Sequence, residues 1–287
     1  MQVIPVADAA SFLSVAWPVL ERDTAANNLP LGVAQQLVDR PGSYAEASFW
    51  VAKAGGRVLG AAMRTPPYPV ILAEPSRADV VDALVAALTH TIPDLPGVTA
   101  NEPWASRFAD GWASATGASW RIAMGQGVYV LRSVEPPRPA PGSSRDATAD
   151  DRLLLERWLR AFADEAMPAL PHDEHALERG IDARLGHGAA GGFSIWAVAD
   201  RPVSLTGWVL IPGGARIGPV YTPVEERGHG YASNLVAEVS ARALERGAEA
   251  CFLYTDLQNP TSNSIYRRVG YEQHAEASTI LFERERA

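Results

Sequence analysis

A chain of 287 residues, 47% hydrophobic and 20% charged, has the composition of a folded globular protein and the length for two domains, each able to bury a core of its own. Its 33 acidic residues outnumber 25 basic ones, giving a net charge of −8, which argues against a nucleic-acid-binding surface and suits a small cationic substrate better. A single cysteine, Cys251, allows no intramolecular disulfide and makes a reducing cytoplasm the expected location.

The N-terminal stretch MQVIPVADAASFLSVAWPVLERD sets acids beside its apolar residues and lacks a basic start, so it does not read as a signal peptide. No apolar run approaches the ~18 residues of a membrane span, and no membrane partner is expected. Next, FWVAKAGGRVLGAAMRT reads as strand, Gly-Gly turn, strand. After Pro75, SRADVVDALVAALTH places Val80, Leu84 and Leu88 on one helical face, and SRFADGWASATG outlines a helix ending in glycine. Residues 133–151, SVEPPRPAPGSSRDATADD, replace apolar periodicity with prolines and small polar residues and read as an extended linker. Two helices follow, DRLLLERWLRAFADEA and EHALERGIDARLG, then a second strand, turn, strand in FSIWAVADRPVSLTGWVLI. A further strand, RIGPVYT, ends at Pro223. The long helix after it carries Ala232, Leu235, Val236, Val239 and Ala243 in one stripe, and EACFLYTD, SNSIYRRVG and ASTILFERE read as buried strand, short helix and last strand. Gly60 and Gly207 mark equivalent points of the two hairpins, and Pro75 and Pro223 mark the ends of the strands after them. Both pairs are separated by close to half the chain, which suggests a duplicated α/β unit with a mixed sheet. The expected domains are 1–132 and 152–287, joined by 133–151.

The segment EERGHGYASNLV poses a chemical question, because Gly228 and Gly230 are poor helix formers standing where a helix begins. A helix N-terminus exposes unpaired N–H groups and a partial positive charge, and bare backbone lets phosphate oxygens approach them. The glycine spacing fits neither the Walker A pattern nor the dinucleotide fingerprint. PVEERGHGYASNL instead resembles motif A of the GNAT superfamily of acyl-CoA N-acyltransferases, with Arg227, Gly230 and Ala232 in the pattern and Gly228 as an added glycine. TDLQNPTSNSIYRRVGYE resembles motif B, with Asn259, Tyr266, Gly270 and Tyr271. The two motifs, joined by a helix and a buried strand, identify the C-terminal half as GNAT-like, and the whole chain then resembles tandem GNAT proteins.

The resemblance implies acetyl-CoA as cosubstrate, with no metal. Its pyrophosphate would rest on the amides of Gly228, His229, Gly230, Tyr231, Ala232 and Ser233 behind Arg227. Its pantetheine arm would lie along the strand Gly218–Thr222, against Val220, Tyr221 and Thr222, in the manner of an added strand, and the Val220 N–H would polarise the thioester carbonyl. Tyr266 resembles the general acid that protonates the departing thiolate. The residue between Asn and Tyr that Pro260 adds leaves two candidates for the motif B asparagine, Asn259 and Asn263. The base is open among Asp164, Glu165, Asp173, Glu174 and a chain of waters, with Glu165 favoured because Trp158, Phe162 and Glu165 share a helical face. His172 and His175 in PHDEH read as part of a helix start capped by Asp173 rather than as metal ligands, and Cys251 as a core residue. The N-terminal half has EPSRADVV where a phosphate loop would stand, so it is expected to be a degenerate copy that is structural or forms a pocket wall. The expected reaction is direct acetyl transfer to a primary amine of a small molecule, with an acyl-CoA sensor or scaffold, or a transferase for a peptide amine or mycothiol-type precursor, as alternatives. An oligomer is possible, but no sequence feature supports one.

Overall fold

The computed structural model describes residues 1–170, 173–185 and 190–283. Contacts divide the described residues into two compact units, one of residues 1–127, 169–170 and 275–283, the other of 128–168, 173–185 and 190–274.

In the first unit the chain runs β1 (Gln2–Val6), α1 (Ala9–Leu20), α2 (Asn28–Asp39), β2 (Ser48–Ala54), β3 (Arg57–Arg64), β4 (Val70–Leu72), α3 (Ala78–Thr91), β5 (Gly97–Asn101), α4 (Trp104–Thr116) and β6 (Ser119–Leu131). The β2–β3 hairpin is antiparallel, and β4 and β5 pair in parallel only at Val70 with Val98 and Ile71 with Thr99. Val80, Leu84 and Leu88 of α3 are buried against Trp50, Val98, Phe108 and Trp112, as their helical spacing predicts. The α4 helix ends at Gly117 in the left-handed region, φ 76°, the conformation glycine adopts at least cost. The helices α1 and α2, with their buried Phe12 and Leu31, are elements the sequence reading did not delineate.

The second unit repeats the succession: β7 (Ser143–Asp146), α5 (Arg152–Ala166), α6 (Glu174–Leu185), β8 (Gly191–Val198), β9 (Arg201–Ile211), β10 (Gly214–Tyr221), α7 (Tyr231–Glu245), β11 (Cys251–Asp256), α8 (Pro260–Val269) and β12 (Glu272–Glu283). Strand order is β11-β10-β9-β8-β7, with only the β10–β11 pair parallel. One core gathers Leu235, Val236 and Val239 of α7 with Leu253, Tyr266 and Tyr271. A smaller one joins Leu155, Trp158 and Ile181 of α5 and α6 to Phe193, Ile195 and Leu205 of the hairpin.

Two features depart from the sequence reading. Residues 133–151 are not a free linker: Glu135 N–H donates to Val269 O at 2.8 Å, the Trp196 indole donates to Pro141 O at 2.8 Å, and β7 pairs with β8. Prolines remove ladder donors but leave carbonyls, which the second unit's side chains engage. The last strand also divides differently from the expected boundary. Residues 275–283 belong to the first unit, where Ala277–Leu281 pairs antiparallel with Asn101–Gly97, while Val128–Leu131 of β6 belongs to the second. An alternating apolar strand specifies which face is buried but not which neighbour it joins.

Candidate active site

The strand β10 stays paired with β9 as far as Tyr221, with a register shift between Ile217 and Val220. Its pairing with β11 is confined to Ala215 with Cys251 and Arg216 with Phe252. From Ile217 to Tyr221 one edge of β10 is therefore without a strand partner among the described residues. A backbone edge of this kind accepts an extended ligand by main-chain hydrogen bonds. Val220 lies on that stretch and packs against the core cluster that contains Tyr266.

Beyond Pro223 a single turn, Val224–Glu226, leads into Arg227–Gly230. Gly228 and Gly230 have φ of 83° and 82°, so their backbone conformation is itself a reason for glycine. A Cβ added at Gly228 would meet nothing within 4 Å, which leaves that side of the loop open. Gly230 is the N-cap of α7 and supplies no capping side chain, and the first helical bond runs from Asn234 N–H to Gly230 O at 3.1 Å. The amides of Gly228, His229, Gly230, Tyr231, Ala232 and Ser233 have no hydrogen-bond partner among the described residues. Such a set of aligned donors is a ready anion site. The loop is braced from beneath by Glu226, which is buried and paired with Arg201, and by His229, whose Nδ1 lies 3.2 Å from Glu226 O and whose ring stacks on Tyr231.

Arg227 is held at both ends of its guanidinium. Its Nε donates to Thr222 O at 2.9 Å and its NH2 group to Glu165 Oε2 at 2.7 Å. The side-chain hydrogen bond to Glu165 holds the Arg227 guanidinium above its ordinary pKa. Glu165, the candidate base, thus lies as a counter-ion at the anion loop. The Thr222 hydroxyl is 2.8 Å from Ser204 Oγ, and the Tyr221 ring leans on Trp158 of α5.

On α8 the two asparagines part company. The Asn259 side chain caps the helix, its Oδ1 accepting from Ser262 N–H at 3.0 Å, with Pro260 at the first helical position. Asn263 is buried. Its amide donates to Asp256 O at 3.0 Å and Leu257 O at 3.3 Å, and its Oδ1 is without a partner. Asn263, Leu257, Pro260, Ser264, Arg267 and Arg268 line an open cavity of about 450 Å³.

Tyr266 is 8% exposed, and no hydrogen bond to its hydroxyl is found among the described residues. Burial pushes its pKa up to about 12, so the phenol keeps its proton at any ordinary pH. Its ring meets Tyr271 edge-on at 6.1 Å, and the Tyr271 hydroxyl is 2.8 Å from Ser240 Oγ of α7. Cys251 is fully buried, and desolvation pushes its thiol up to about 12, which makes it a core residue rather than a nucleophile. Asp173 caps α6 by accepting from Ala176 N–H at 3.0 Å. His172 lies outside the described residues. Among those described, no group of three His, Cys, Asp or Glu is placed to hold a metal ion, and no helix is long and apolar enough to cross a membrane.

Residues 196–280 match the family model described as FR47-like protein. No curated protein matches the chain in sequence. Among solved structures, a GNAT-family acetyltransferase from Colwellia psychrerythraea is 11% identical with a TM-score of 0.59, over 99% of this chain and 100% of that one. A tandem GNAT protein from the clavulanic acid biosynthesis pathway is 16% identical, TM-score 0.62, over 98% of each chain. A Drosophila protein is 13% identical, TM-score 0.70, again over 98% of each. The whole chain has the tandem GNAT fold.

Proposed function

For this tandem GNAT protein, FR47-like in its second copy, we propose an acetyl-CoA-dependent N-acetyltransferase that acetylates a primary amine of a small molecule by direct transfer. The observation that carries the proposal is one continuous feature: an edge of β10 that has no strand partner among the described residues runs into a left-handed glycine loop whose amides, from Gly228 to Ser233, likewise have none among them. A strand edge followed by an anion cradle fits a ligand with an extended amide-bearing arm and a pyrophosphate, which describes the coenzyme. Acetyl-CoA supplies the activated acyl thioester. The chain supplies the rest. In this reading the Val220 N–H polarises the thioester carbonyl. The acceptor nitrogen bonds to the carbonyl carbon, the C–S bond breaks, and Tyr266 gives its proton to the sulfur while the amine's proton leaves to solvent. Tyr266 suits this because burial keeps it protonated. Of the motif B asparagines, Asn263 is the better ligand group, since Asn259 is committed to its helix. Glu165 acts in this reading at the cofactor loop, and removal of the amine proton falls to water. The first unit serves as a structural copy, and the single buried thiol is in keeping with a cytoplasmic protein.

Titration of the purified protein with acetyl-CoA tests the reading, and should show one site per chain. Tyr266→Phe should bind acetyl-CoA with unchanged affinity while its kcat falls by about 10²–10⁴-fold, the usual contribution of a general acid. No binding of acetyl-CoA would overturn the proposal. Unchanged turnover in Tyr266→Phe would overturn the role of Tyr266.

A further inference from the structure

We propose that Arg267 and Arg268 of α8, joined by Arg138 of the proline-rich segment before β7, bind a phosphomonoester, and that the group they take is the 3′-phosphate of the coenzyme. The inference rests on the acyltransferase reading. The cavity on α8 is lined by Asn263, Arg267 and Arg268. Neither arginine has a hydrogen bond or an ion pair to any described residue, and Arg267 only lies over the Tyr129 ring, 6.0 Å from its centroid. In a chain of net charge −8, Arg145, Arg160, Arg201 and Arg242 of the same unit all have carboxylate partners. Two guanidinium groups left without one on a single cavity favour a ligand that carries more than one negative charge. Asn263 is an independent sign of a ligand. Its side chain lines the same cavity, is 7% exposed, and has an Oδ1 that accepts no hydrogen bond among the described residues. A buried acceptor in that state costs free energy until a ligand donates to it.

The proline-rich segment ties this cavity to the glycine loop. Glu135 N–H donates to Val269 O at 2.8 Å at the end of α8, and Asn234 of α7 donates through Nδ2 to Arg138 O at 3.0 Å. The three residues from Glu135 to Arg138 span at most ~11 Å, so the last turn of α8, which holds both arginines, stands one short span from the first turn of α7. A Cβ added at Gly230 would lie 3.8 Å from Ala140 Cβ, so the segment passes along the rim of the anion loop. Pro136, Pro137 and Pro139 stiffen it, which holds Arg138 there at little entropic cost. Arg138 is exposed, and its side chain has no partner among the described residues. A ligand on this face thus meets backbone amides suited to a pyrophosphate and, close by, arginines suited to a phosphate dianion. A nucleotide with a pyrophosphate, a second phosphate on its ribose and an amino-bearing base to donate to Asn263 Oδ1 satisfies all three, and coenzyme A is such a molecule.

The test titrates the wild-type protein with acetyl-CoA and with acetyl-dephospho-CoA, which lacks only the 3′-phosphate. The wild type should bind acetyl-CoA about 10–100-fold more tightly, the scale of a lost charged hydrogen bond. The double variant Arg267→Gln with Arg268→Gln should weaken acetyl-CoA by that factor and leave acetyl-dephospho-CoA unchanged, so that the two ligands become equal. Arg138→Gln should show a smaller loss, again confined to acetyl-CoA. Equal affinity of the wild type for the two ligands overturns the proposal and needs no variant to be read. A double variant that loses both ligands alike also overturns it, because the arginines would then serve the loop rather than the 3′-phosphate. Inorganic phosphate titrated into the wild type saturated with acetyl-CoA should show no site that the double variant lacks. Such a site would belong to a free phosphate and overturn the assignment to the coenzyme. Failure to bind either thioester would overturn the underlying acyltransferase reading, and this inference with it.

Discussion

The stretch after β4 and the stretch after β10 are the same place in two copies of one fold, and their polar groups are satisfied in opposite ways. In the first unit Glu74 N–H donates to Asn27 Oδ1 at 2.7 Å, and Arg22 donates to Glu74 O at 2.9 Å. The Glu74 carboxylate accepts from Asn101 Nδ2 at 2.9 Å and from the Trp104 indole at 2.6 Å. At the start of α3, Arg77 is bonded to Asp79. In the second unit the corresponding strand end opens into Gly228 and Gly230, with donors that have no partner in the described chain. Each parallel pair, β4 with β5 and β10 with β11, is only two residues long, so the fold opens a cleft in both. Whether that cleft is available to a ligand then depends on a few side chains: Asn27, Glu74, Asn101 and Trp104 fill it in the first unit.

The largest expected effect tests the anion loop. Gly230→Glu would force a side chain into φ 82° and set a carboxylate among donors meant for phosphate, and should abolish acetyl-CoA binding by titration. The matching change at the start of α3, Arg77→Glu, should leave affinity and stoichiometry as they are. Loss of binding in both variants, or in neither, would remove the distinction drawn between the units.

A smaller effect is expected at the plug itself. Glu74→Ala would leave the Trp104 indole without its acceptor and the Asn101 amide with only Ala26 O, at 3.0 Å, and should destabilise the first unit by about 1–3 kcal/mol in chemical denaturation. Acetyl-CoA stoichiometry should stay at one, because the first unit still lacks a glycine loop. A second equivalent bound by Glu74→Ala would show that the plug alone separates the two copies.

Much of this comparison could be read from the sequence. The hairpins, α3, α7 and β11 follow from apolar periodicity, and the loop from Arg227 to Gly230 stands out because glycine at a helix start needs a reason. The contents of the first unit's cleft could not be read, because Asn27, Glu74 and Asn101 are far apart in the chain and carry no local signature. The sequence left Asn259 and Asn263 as alternatives for a local reason, since an asparagine before Pro260 is as good a helix cap as it is a motif residue.

The smallest effect concerns pH and again separates the units. Tyr266, Tyr271 and Cys251 share the larger core of the second unit. Burial raises all three, Tyr266 from 10.0 and Cys251 from 9.0, each to about 12, and Tyr271 well above 10.0. Each group is neutral when protonated and holds its proton more tightly folded than unfolded. The stability this linkage contributes is therefore full below the unfolded values and is lost as pH rises through the raised ones. Near-UV circular dichroism should show the second unit losing fixed packing between about pH 10 and 12, with a shallower loss in Tyr266→Phe. Activity follows the same sign: kcat should show no alkaline limb from Tyr266 while the protein remains folded. A limb near 10.0, the ordinary phenol value, in protein that keeps its near-UV signal would mean that the Tyr266 hydroxyl is solvated in the working enzyme, and that its proton is held by contact with water rather than by burial.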